Sequence, residues 1–83
     1  MKLGEPILKI LNKSYPPLEM VEIKFKRYDL RFKTNEGGLP VLLFIGQKDE
    51  HGVIKGERFA RRLKIQEDGQ VLKDHWDHKG KST

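Results

Sequence analysis

From Glu19 onward the chain alternates apolar and charged residues with a period of two, the mark of strands with one buried and one wet face. Val21, Ile23 and Phe25 alternate with Glu22, Lys24 and Lys26. Tyr28, Leu30 and Phe32 then alternate with Asp29, Arg31 and Lys33, with the phase shifted by one residue. One residue inserted near Lys26-Arg27 keeps both apolar sets on one core. The pattern therefore predicts a β-bulge there, or a sharp bend at a barrel corner, within one long Val21–Phe32 strand. A tight turn between two short strands is the weaker alternative, because no Gly, Asn or Pro stands at that point.

Before this region the period is helical. Leu3, Ile7, Ile10 and Leu11 fall at i, i+4, i+7 and i+8, one stripe of a helix over Gly4–Lys13. Pro6 suits a first turn, Glu5 suits the positive helix start, and Pro16-Pro17 prevents continuation. An edge strand over Ile7–Leu11 is the alternative. Farther on, Asn35-Glu36-Gly37-Gly38 predicts a turn, and the unbroken apolar run Leu39–Ile45 predicts a strand buried on both faces. Gln47–Gly52 is polar and ends in glycine, as a hairpin loop does.

Between Val53 and Gln66, Phe59, Leu63 and Ile65 alternate with Arg58, Arg62 and Lys64, and Arg61 falls on the apolar side. Glu67-Asp68-Gly69-Gln70 predicts a hairpin that returns along Val71–Trp76. Its register is open. A two-residue turn sets Ile65 opposite Leu72, Arg61 opposite Trp76 and Lys64 opposite Lys73. A three-residue loop with Gly69 left-handed sets Ile65 opposite Val71 and Arg62 opposite Asp74. The expected fold is α+β and β-rich: a short N-terminal helix plus a four- or five-stranded antiparallel meander, able to curl into a small SH3-like or OB-like barrel. Eighty-three residues give one domain, placed at 1–78, with 79–83 as a flexible tail.

Composition narrows the chemistry. Without cysteine there is no disulfide, thiolate metal site or cysteine nucleophile. The longest apolar run, Val41–Ile45, is far below the roughly 20 residues that span a membrane, and Lys9, Asn12 and Lys13 break any leader-like pattern. The expectation is a cytoplasmic, monomeric protein with no membrane partner. Asp74-His75-Trp76-Asp77-His78 could supply metal ligands, but in a strand His75 and His78 point to opposite faces, and nothing elsewhere completes a site. The serines lack a glycine elbow, no carboxylate pair stands out on one face, and no glycine loop matches a phosphate cradle. The sequence thus predicts no enzyme, no cofactor and no metal.

Charge is the informative feature. Lys24, Lys26, Arg27, Arg31 and Lys33 against Asp29 carry +4, and Lys55, Arg58, Arg61, Arg62 and Lys64 against Glu57 carry another +4. The whole chain carries only +5, so the remainder is net acidic. Positive charge segregated onto neighbouring strands attracts phosphate backbones. The candidate polyanion-binding residues are Lys24, Lys26, Arg27, Arg31, Arg58, Arg62 and Lys64, with Tyr28 as a stacking residue; Tyr15 and Trp76 could stack if exposed. The expected function is a non-catalytic module binding nucleic acid or another polyanion through a basic sheet face. Two alternatives fit the same chain. A protein-interaction module would use an exposed sheet edge or the bulged Val21–Phe32 strand. A small-ligand half-barrel would use a mouth lined by Phe25, Phe32, Phe44, Phe59 and Trp76, and a cavity of several hundred cubic ångströms would favour it.

Overall fold

Helix α1 (Glu5–Leu11) precedes five strands, β1 (Met20–Phe25), β2 (Tyr28–Thr34), β3 (Pro40–Lys48), β4 (Ile54–Ile65) and β5 (Val71–Ser82). The structure, a computed structural model, describes residues 3–82. Each strand pairs antiparallel with its sequence neighbour, giving the order β1-β2-β3-β4-β5. The fold is the α+β meander that the residue pattern predicts, but the sheet remains open. β1 and β5 are its edges, and it does not close into an SH3-like or OB-like barrel.

The phase slip at Lys26-Arg27 is a tight turn, not a bulge. Phe25 pairs with Tyr28, Ile23 with Leu30 and Val21 with Phe32, so a two-residue hairpin puts both apolar sets on one face. Lys26 takes the required left-handed conformation at φ 55°. The same register sets Glu22 opposite Arg31 and Lys24 opposite Asp29. Those cross-strand opposite charges favour the hairpin that the missing turn residues argued against.

The Gln66–Gln70 hairpin uses both of the candidate registers. Gln66 donates to the Gln70 carbonyl at 2.8 Å and Gly69 sits at φ 89°, a three-residue loop that pairs Ile65 with Val71. A register shift beside Lys64 then sets Lys64 opposite Lys73 and Arg61 opposite Trp76. A second shift between Arg58 and Phe59, with Gly80 at φ 99°, keeps β5 paired. Segment 79–82 is therefore strand, with Lys81 opposite Glu57, where the composition suggested a loose tail.

Helix α1 covers one face. Ile7 and Leu11 bury against Leu30, Phe32, Leu43, Ile45 and Phe59, with Val21, Ile23, Phe25, Tyr28 and Trp76 packed around them. The Tyr15 ring meets the Phe32 edge at 4.9 Å, and its hydroxyl donates to the Ile10 carbonyl. Leu43 and Ile45 are buried, whereas Phe44 and Leu42 are only half-buried. The apolar run of β3 is thus not enclosed on both faces.

Arg61 joins the layers. Its side chain is 4% exposed, and every N–H finds an acceptor. Nε and Nη2 donate to the two Asp74 oxygens at 2.7 Å each. Nη1 donates to the carbonyls of Leu11 and Pro40, and Nη2 also donates to Asn12 Oδ1. The guanidinium lies 5.3 Å from the Trp76 ring centre, the pair that the two-residue register predicts.

Two predictions follow the turn and the arginine. Lys26→Val should destabilise the domain by about 1 kcal/mol, because a β-branched residue resists positive φ, while Lys26→Gly should not; urea unfolding of the two variants measures the difference. Arg61→Met should cost about 3 kcal/mol by stranding the acceptors it serves. The hydrogen bonds from Arg61 hold the Asp74 carboxyl below its ordinary pKa. A depressed folded-state pKa gives stability that is present above the unfolded value and lost as pH falls through the folded one. Arg61→Met should therefore raise the Asp74 pKa in a carboxyl NMR titration and weaken the loss of stability below pH 4.

Candidate nucleic-acid interface

Directly opposed residues in an antiparallel sheet share a face, so the registers sort every strand residue. The face away from α1 carries three rows. Met20, Lys33, Leu42, Ala60 and Asp77 form one, and Glu22, Arg31, Phe44, Arg58 and Gly80 form the next. The third contains Lys24, Asp29, Gly46 and Gly56. Beyond the first row, Arg62 opposite His75 and Lys64 opposite Lys73 continue the same face. These last pairs lie on a two-stranded arm, because β3 runs no farther along β4 than Leu42 opposite Ala60.

The two basic stretches therefore meet on one face. Of the candidate residues, Lys24, Arg31, Arg58, Arg62 and Lys64 share it. Lys26 and Arg27 sit at the β1–β2 turn at its margin, with the Arg27 guanidinium 5.7 Å from the Tyr28 ring centre. Tyr28 lies on the helix side, packed against the core. It is not available on the basic face, and neither are Tyr15 and Trp76. Arg61 and Lys55, counted in the basic stretch, also point to the helix side.

The cations differ in how far they are already committed. Glu22 draws Arg31, whose Nε donates to Oε1 at 2.7 Å, and Lys48, whose Nζ donates to Oε2 at 2.7 Å. The Lys48 and Arg31 hydrogen bonds hold the Glu22 carboxyl below the usual range. Arg31 also donates to the Gly52 carbonyl at 3.2 Å, so the β3–β4 loop reaches over this face. Consistent with that, Ile54 is buried outside the main core. Arg62 pairs with Asp77 at 2.7 Å, and His75 approaches the same carboxylate at 3.0 Å. Burial raises the Asp77 pKa, but Arg62, with the charges of His75 and Lys79, outweighs it and the net shift is downward. Among the described residues the Arg58 side chain reaches only the Lys79 carbonyl, at 3.5 Å. The side chains of Lys33, Lys64 and Lys73 make no ion pair or hydrogen bond among the described residues, and all three residues are exposed.

Lys33, Lys73 and Phe44 complete the face, although the sequence pattern counts Lys33 only in the basic stretch, sets Phe44 at a small-ligand mouth and assigns Lys73 no site role. Phe44 is hidden by an apolar run without visible phase, and only the burial of Leu43 and Ile45 beside it separates it from the core.

A second concavity lies on the helix side, a cleft of about 520 Å³ lined by Leu3, Leu8, Asn12, Phe59, Arg61, Asp74 and Trp76, with His75 and His78. Two of the five aromatics expected at a ligand mouth, Phe59 and Trp76, line it. The Trp76 indole N–H is buried there without a partner among the described residues. His78 faces Glu57 at 2.6 Å and lowers its pKa, while His75 engages Asp77. Among the described residues no three metal-ligating side chains converge. No helix of the described residues is long and apolar enough to cross a membrane.

With this geometry in view, the comparisons place the chain beside no known group: no protein-family model, curated protein or solved structure matches it.

Proposed function

We propose that this domain is a non-catalytic binding module that engages nucleic acid through the open face of its sheet. The observation that carries the proposal is the strand register. It gathers Lys33, Arg58, Arg62, Lys64 and Lys73, from segments far apart in the chain, onto the one sheet face that no helix covers. Lys64 and Lys73 stand directly opposite each other with no carboxylate between them. Like charges so placed cost stability, and a phosphate backbone lying across them would relieve that cost.

A second use is favoured by the cleft beneath α1. Its volume falls in the range of small-ligand sites, and its lining mixes apolar and polar groups. Trp76 is the only tryptophan, so its fluorescence would report an occupant directly.

The lysine pair gives a test with two opposed readouts. Lys64→Glu should stabilise the fold by about 0.5 kcal/mol, because it turns a repulsive cross-strand pair into an attractive one. The same change should weaken oligonucleotide binding and flatten the slope of log affinity against log salt by roughly 0.7 to 0.9 per contact removed. Fluorescence anisotropy at several salt concentrations and urea unfolding measure the two. Unchanged affinity in Lys64→Glu, Lys73→Glu and Lys33→Glu together would overturn the reading.

A further inference from the structure

Phe44 breaks the rule of the face it occupies. A solvent-facing sheet surface ordinarily presents polar side chains, yet here the middle row of the central strand carries an aromatic ring. Its direct cross-strand neighbours are Arg31 on β2 and Arg58 on β4. Side chains in those positions lie within about 5 Å at their Cβ atoms. The ring therefore stands between two arginine side chains, whose guanidinium groups reach outward to Glu22 and the Gly52 carbonyl and to the Lys79 carbonyl.

The ring is half-buried, and little side-chain bulk stands beside it toward Gly46 and Gly56. Next along the strands on the same face come Gly46 and Gly56 on one side and Leu42 and Ala60 on the other, with Gly80 on β5 opposite Arg58. Gly46 and Gly56 cannot easily be otherwise. A Cβ at Gly46 would lie 2.1 Å from the Lys55 carbonyl oxygen, and one at Gly56 would lie 2.2 Å from that of Ile45. The close strand approach thus removes side chains from the region beside Phe44. On the other flank Arg31 is fixed, held by Glu22 and the Gly52 carbonyl.

We infer that Phe44 is a stacking platform for an unpaired nucleobase, and that the nucleic acid taken by this face is single-stranded. The inference rests on the proposed basic interface and specifies its ligand. In a duplex the base faces are stacked on one another, so a flat ring in a basic sheet gains nothing from it beyond phosphate contact. A single strand can lay a base on Phe44 while its phosphates run past Arg58 toward Lys33 on one side or Lys64 and Lys73 on the arm. Base stacking adds to charge pairing without depending on salt.

The test uses the whole chain and labelled twelve-nucleotide probes: oligo-dT, an abasic strand of the same length and charge, and a duplex of the same length. Oligo-dT should bind about tenfold more tightly than the abasic strand. Phe44→Leu should lose that advantage, with an unchanged salt slope, and Phe44→Tyr should restore it. The comparison of oligo-dT with the abasic strand needs no variant, so a folding defect in Phe44→Leu leaves the proposal falsifiable. Equal, salt-dependent binding of oligo-dT and the abasic strand, or tighter binding of the duplex, would overturn the platform while leaving the basic interface standing. An absence of salt-dependent binding to any of the three probes would overturn the interface itself.

Discussion

A buried guanidinium must find acceptors for five N–H donors, or it costs more than it contributes. Arg61 finds them in four places: the end of α1 at Leu11 and Asn12, the start of β3 at Pro40, and Asp74 on β5. No apolar side chain could make these links, because together they reach three different elements. The Leu11 carbonyl belongs to the last turn of a seven-residue helix, where it lacks an intrahelical donor. A helix this short is not stable by itself. It is held by Ile7 and Leu11 in the core and by the arginine at its C-terminal end. The seat of α1 decides which sheet face is covered, and so which is left open.

That choice has an electrostatic consequence. Arg61 interrupts the alternation of β4, since Phe59, Arg61 and Leu63 share the helix side while Arg58, Arg62 and Lys64 share the other. One strand thereby delivers a structural arginine to the interior and three cations to water. On the open face the charges separate further. Glu22 gathers Arg31 and Lys48, and Asp77 gathers Arg62, whereas Lys33, Lys64 and Lys73 remain without counter-ions among the described residues. The neutralised arginines act as fixed geometry, and the solitary lysines act as charge.

Much of this was legible in the residues. The helix stripe, the strand alternation and the Gly69 turn each follow from one dominant period or one turn signal. The failures have physical reasons. Turn statistics reward glycine and so favour a bulge at Lys26-Arg27, while the hairpin is favoured by the cross-strand pairing of Glu22 with Arg31 and Lys24 with Asp29. The β4–β5 register could not be settled because a bulge accommodates both solutions, and a bulge leaves little trace in composition. Segment 79–82 looked like a tail because lysine and glycine dominate it, yet Gly80 is the residue that lets the strand continue. Tyr28 was assigned to the interface by its place among cations, although period two sets it with Leu30 and Phe32.

Phe44 shows the same limit from the other direction. An apolar run has no visible phase, so the sequence could not tell whether its even-numbered members were covered. Only the single helix on one side settles which of Leu42–Ile45 face the core. Once α1 is seated by Arg61, Leu43 and Ile45 must be interior, and Phe44 must stand between Arg31 and Arg58, one row from Lys33. An aromatic there is only partly covered by the fold, since the core lies on the far side of its own strand. A domain of this size has few apolar residues to spare from its core. The placement of Phe44 is most simply understood if a ligand, and not the fold, supplies the other half of its contacts.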